Sequence, residues 1–386
     1  MTVPPQGPYG SQPSGGGGPQ WGGPPPQGPG GQPPYGPPGG QWPQQPWGAQ
    51  PPPNKGGKGK WILVGLALVA IIAVSIVGTV LVLRPDSGGG NGQQSNTANG
   101  GSEFASANDT GPANIITEDP TCAVWGKISD DVTAASNAAK WNDQDYSIPA
   151  ADWSPEQRSA FEKESTAWGT AISKVGNIAK QTPHRVMREL YGQFVAYAQA
   201  VIDAIPAYSS DDQYTVIAAN KFFSAINEVC DAIYFRAAQE TAPLITAPSP
   251  PSDIAALNPG DAMEAERFLN KPDSTCTEWV AMAERFDKDT QAWRAVDTNI
   301  SASDWTPEQK AVIDAAIPVM EANAEDMERL GRNSGNPVWE DFAVFAAQYR
   351  RAYVQSVPTY TSKYSHLTVG STYLSTAIYW ACKAAA

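Results

Sequence analysis

The sequence predicts an all-α ectodomain: a tandem repeat of two disulfide-stapled four-helix bundles, after a disordered tail and one transmembrane helix. Three observations predict it. The string DWSPEQ, Asp152 to Gln157, returns as DWTPEQ, Asp304 to Gln309, and Pro206, Tyr208 and Cys230 recur at the same offset as Pro358, Tyr360 and Cys382. Upstream, Cys122 and Trp125 recur as Cys276 and Trp279, so each copy carries one pair of cysteines. Before both copies, Trp61 to Leu83 is uncharged and almost wholly apolar.

Residues 1–60 form the tail. Its first 54 residues contain no Asp, Glu, Lys, Arg or His and are dominated by Gly, Pro and Gln. Such a segment has too few aliphatic side chains to offset the entropy of ordering, which predicts a disordered, partly polyproline-II chain. Tyr9, Trp21, Tyr35, Trp42 and Trp47 punctuate it as candidate stickers for a cytoplasmic partner.

Residues 61–83 are the predicted transmembrane helix. At about 1.5 Å per residue this stretch spans about 34 Å, enough for a hydrocarbon core of about 30 Å. A cleaved signal peptide would start near the N-terminus and end in small residues, whereas this run ends Leu-Val-Leu-Arg-Pro-Asp. Lys55, Lys58 and Lys60 precede it and Arg84 follows, balanced by Asp86, so the N-terminus is expected inside and the repeats outside. Residues 84–118, rich in Gly, Ser and Asn, read as a flexible tether. From Asp86 onward lie 22 basic and 39 acidic residues, a balance that argues against nucleic acid or anionic lipid as the main ligand of the folded part.

Residues 119–241 form module 1 and 271–386 module 2, joined by a Pro-rich linker over 242–270. In each, Ser154 or Thr306 is a hydroxyl N-cap followed by proline, an acid and glutamine, a capping-box pattern. Trp153 and Trp305 stand where a hydrophobic staple belongs, but the fourth helical residue is Arg158 or Lys310, which predicts a cation–aromatic contact instead. Apolar residues then recur three and four apart: Phe161, Trp168, Ile172 and Val175 in one copy, Ile313, Met320, Ala324 and Met327 in the other. The next helix ends at Pro206 or Pro358.

Four cysteines, all beyond the span, predict disulfides in an oxidising compartment. A module that closes on itself pairs Cys122 with Cys230 and Cys276 with Cys382; a zinc site lacks the usual close spacing.

Little in the sequence carries chemistry. The two histidines, His184 and His366, are not repeated, and no catalytic, phosphate-binding or dinucleotide motif accompanies them. Glu321 and Glu325, one helical turn apart, are the nearest approach to a carboxylate pair, but Gly169 and Ser173 replace them in the first copy. No metal or cofactor is expected. Tyr208 and Tyr360, just past the helix-ending prolines, are the candidate binding residues.

The PPYGPP run from Pro33 to Pro38, the Lys-flanked span, the Gly-rich tether and the Ala-rich helical region resemble the layout of proline-rich single-pass membrane proteins of actinobacteria, mycobacteria especially. That resemblance, in composition and layout over the whole chain, implies a location in the cell envelope. The expected function is non-enzymatic binding of an envelope protein, glycan or lipid outside the membrane. Alternatives are a lipid or small-ligand carrier or sensor, with a cavity in or between the bundles, and a carboxylate-based hydrolase.

Overall fold

Ten α-helices and no strand make up residues 103–257 and 265–386, the part of the chain that the computed structural model describes. In the N-terminal half, α1 (Cys122–Ala139), α2 (Pro155–Gln181), α3 (Arg185–Ala204) and α4 (Asp212–Tyr234) pack each on the next, and a short α5 (Ala237–Thr241) follows. In the C-terminal half, α6 (Thr275–Asp289), short α7 (Gln291–Arg294), α8 (Pro307–Asn333), α9 (Pro337–Ser356) and α10 (Ser365–Ala384) repeat the order, with α10 also returning to α6.

The boundaries follow from local chemistry. Ser154 Oγ accepts from the Gln157 amide and Thr306 Oγ1 from the Gln309 amide, with proline at the first helical position in both. The reciprocal box is complete only at Thr306, because the Gln157 side chain instead donates to the Asp145 carbonyl. The expected cation–aromatic contact is present at Arg158, 5.5 Å from the Trp153 ring, whereas Lys310 pairs with Asp314 and Trp305 stacks on Tyr360. Each half is cross-linked from its first helix to its last, Cys122 to Cys230 and Cys276 to Cys382, with Cα atoms 5.4 and 5.5 Å apart.

The most extensive helix–helix face joins α4 to α10, and the apolar core is continuous through both halves. Small side chains make this possible. Ala218, Ala219 and Ala225 on α4 and Ser371, Ala377 and Ala381 on α10 are fully buried, and at Gly370 a Cβ would stand only 3.3 Å from Tyr349 and 3.4 Å from Glu228. Contacts across this face come in exchanged pairs: Tyr214 stacks on Trp380, and the residues at the same offset, His366 and Glu228, bond to each other. The two halves thus face each other about an approximate two-fold axis, with Lys221 over the Tyr373 ring near its centre.

Two expectations need correction. The tether does not extend to residue 118: Phe104, Ala113, Ile115 and Ile116 are buried on the helical body, and Arg185 donates to the Asp109 and Gly111 carbonyls. Nor is 242–270 a bare linker, since Leu269 is buried and Gln193 bonds to the backbone of Glu266 and Phe268. The tail and the apolar run 61–83 lie outside the described residues. Among those described, no helix is long and apolar enough to cross a membrane.

Candidate functional site

An open groove of about 630 Å³ lies between α1 and α2. Its floor is Ile128, Val132, Ala135, Ala167 and Ala171, and its rim carries Asp131, Glu162, Lys163 and Lys174. Alanines at the spacing of successive turns keep side chains from filling the furrow where the two helices diverge. Asp131 and Lys174 bridge it at 3.0 Å.

The same furrow lies between α6 and α8 but holds only about 320 Å³. Met282, Phe286, Asp289 and Asn323 stand there in place of Ile128, Val132, Ala135 and Ala171, so larger and more polar groups occupy the space. The bridging ion pair is retained with its signs exchanged, Arg285 to Asp326 at 2.7 Å. Behind it, the Arg350 guanidinium is fully buried 4.3 Å above the Phe286 ring and bonds to Thr368 and Thr372; burial lowers its pKa to about 9.

The first half buries an acid instead. Glu164 accepts from Ser136 at 2.8 Å while its other oxygen has no partner, and burial pushes its pKa up to about 7, against the smaller effect of that hydrogen bond. At the junction of the halves, Arg185 holds Asp341 in a buried ion pair. Glu189, at the position equivalent to Asp341, is driven well above the usual carboxylate range, by burial first and by the Asp341 charge second.

Tyr208 and Tyr360 are not exposed binding residues. They are 2% and 4% exposed, and their hydroxyls donate to the Tyr146 and Thr298 carbonyls. In each half the tyrosine plugs the bundle end beneath the DWSPEQ or DWTPEQ corner, whose alanine amide (Ala150 or Ala302) bonds back to the tyrosine carbonyl at 2.9 Å. Trp125, Trp141, Trp279 and Trp293 are buried in the core. Glu321 and Glu325 are exposed on α8.

His184 Nε2 contacts the Glu118 carbonyl. His366 lies against Glu228 and Asp231, a grouping the sequence reading passed over because neither histidine recurs; the signal available was the carboxylate pair three residues apart on α4. The groove was equally missed, although the alanines of α1 and α2 spell it out.

Residues 104–386 match the family described as Mycobacterial ESX-1 associated protein. The chain is also similar to an uncharacterized protein of Mycolicibacterium smegmatis (strain MKD8), 40% identical over 349 residues, covering 89% of this chain and 91% of that one. Only about a tenth of this chain falls outside that alignment, so the aligned stretch takes in residues 61–83. No solved structure matches.

Proposed function

The chain belongs to the Mycobacterial ESX-1 associated family, and from that premise we propose that it is a non-enzymatic, secretion-system-related protein of the cell envelope. Residues 61–83 anchor it as a single transmembrane helix, the N-terminal tail lies in the cytoplasm, and the helical body stands outside. The body is two copies of one module fused across α4 and α10. Their matched corners, matched disulfides and sign-exchanged ion pairs support a duplication in which the second copy has diverged.

The observation that carries the binding reading is the groove between α1 and α2. It is open and apolar-floored in one copy and half as large in the other, so the fold itself does not require it. Its apolar floor and charged rim of both signs suit an amphipathic helix of a protein partner. The volume also lies within the range of about 300–1,000 Å³ typical of small-molecule sites, which favours a lipid or small apolar ligand as the second reading.

A photo-reactive amino acid at Ala135 or Ala167, introduced in living source cells, tests both. Capture of a protein from these positions, and not from Val319 in the smaller furrow, supports the first reading. Capture of a lipid or small molecule supports the second. Equal capture from both furrows, or none from either, rejects the groove as the site.

A further inference from the structure

We propose that Glu228, Asp231 and His366 form a divalent-cation site, of zinc or manganese type, that clamps α4 of the first half to α10 of the second. Glu228 and Asp231 are three residues apart and so share one face of α4. His366 stands in the first turn of α10 with Nδ1 2.8 Å from Glu228 Oε2 and 3.9 Å from Asp231 Oδ2. One ligand atom from each of the three lies within 4.8 Å of the others. A tetrahedral ion with bonds of about 2.1 Å sets its ligand atoms about 3.4 Å apart, so small side-chain adjustments close the set.

The surroundings are those of a site more than of a simple ion pair. Phe235 lies parallel to the imidazole, 3° between planes and 5.0 Å between centroids, and fixes the ring's orientation. The three side chains are 19–23% exposed, partly sheltered yet open to an ion and its remaining water. One imidazole nitrogen and two carboxylates match the ligand preference of zinc and manganese, and two negative charges facing one imidazole favour a dication.

The approximate two-fold axis supplies an internal comparison. When the halves are exchanged, His366, Glu228 and Asp231 map onto Tyr214, Trp380 and Lys383. There α4 and α10 are held by the Tyr214–Trp380 stack, with planes 19° apart and centroids 5.9 Å apart. The fold closes that end of the interface with two rings, so the ligand set at the other end is not something the packing demands.

The chain has only two histidines, so histidine-selective isotope labelling of the tag-free, full-length protein in detergent gives two imidazole signals. Zinc alone is titrated in. The expected result is a shift of one signal, saturating at one equivalent in the micromolar range. His184→Ala keeps that response, His366→Ala loses it, and Glu228→Gln, which preserves shape and hydrogen bonding, weakens it at least about tenfold. A His366 signal unmoved at millimolar zinc overturns the proposal. So does a Glu228→Gln protein that binds zinc like the parent, or a response confined to His184.

Discussion

Arg185 and Asp341 join the two halves through a doubly hydrogen-bonded ion pair, Nε to Oδ2 at 2.6 Å and Nη2 to Oδ1 at 2.8 Å, with both side chains 1% exposed. Arg185 also donates to the Asp109 and Gly111 carbonyls, so one guanidinium ties α3, α9 and the N-terminal strap together. Beside it, Glu189 and Asp341 occupy equivalent positions in different surroundings. Asp341 is paired with Arg185, while Glu189 contacts Arg188 at 3.4 Å and has its pKa held well above the usual carboxylate range, by burial first and by the Asp341 charge second.

The two acids should therefore respond differently to the same change. Asp341→Asn leaves the Arg185 cation buried without its counter-charge and should cost about 3 kcal/mol of unfolding free energy. Glu189→Gln removes a carboxyl whose charged form burial already disfavours and should cost less than about 1 kcal/mol. Urea unfolding followed by tryptophan emission separates them, and equal costs would refute this difference between the two sites.

Glu164 predicts a pH dependence with a definite sign. Its pKa rises from an ordinary 4.5 to about 7 in the folded protein, so the native state binds more protons than the unfolded chain between those values. Stability is then greatest below about pH 4.5 on this group's account and falls as pH rises through 7, by about 3 kcal/mol in all. Glu164→Gln should remove that part of the decline and make the protein more stable than the parent at pH 8. Thermal unfolding at pH 5 and pH 8 measures it; a variant as pH-dependent as the parent contradicts it. Glu189 adds a decline of the same sign, so the dependence should shrink rather than vanish.

Helix positions, the capping strings and both disulfides were legible because each is encoded locally or by the repeat itself. Ser154-Pro155 and Thr306-Pro307 announce their helices whatever packs on them, and a module closing on itself leaves one cysteine pairing. The placement of the halves was not legible. Periodicity shows that a helix face is buried without naming its partner. The clue lay in size: Ala218, Ala219 and Ala225 on one helix and Gly370, Ser371 and Ala377 on the other form two smooth faces. The burial of Tyr208 and Tyr360 was hidden for a related reason. A tyrosine after a helix-ending proline looks exposed until the DWSPEQ or DWTPEQ corner folds over it.

Gly331 should be among the least replaceable residues of α8. A Cβ there would collide with the Ala343 Cβ and stand 3.4 Å from the Glu340 Cα, and backbone cannot yield as a long side chain can. Gly331→Ala should destabilise by about 1–3 kcal/mol despite the better helix propensity of alanine. Gly169→Ala on α2, where nothing lies within 4 Å, is the control and should stabilise by up to about 1 kcal/mol. Two variants of like stability would show that α8 and α9 do not approach as closely as described.

The sign-exchanged ion pairs test the duplication directly. Asp131–Lys174 and Arg285–Asp326 link equivalent turns of equivalent helix pairs with the charges reversed. If the two sites descend from one, each should accept the other's arrangement. Asp131→Arg alone sets two cations together and should cost about 0.5–1 kcal/mol, small because the side chains are 46–69% exposed and screened by solvent. Adding Lys174→Asp should restore parental stability to within about 0.5 kcal/mol, giving a favourable coupling in a double-mutant cycle. Raising the salt concentration should erase most of that coupling. A double variant no better than the single one would mean that the first furrow is shaped around its own charge order, and the pairs would then record convergence and not descent.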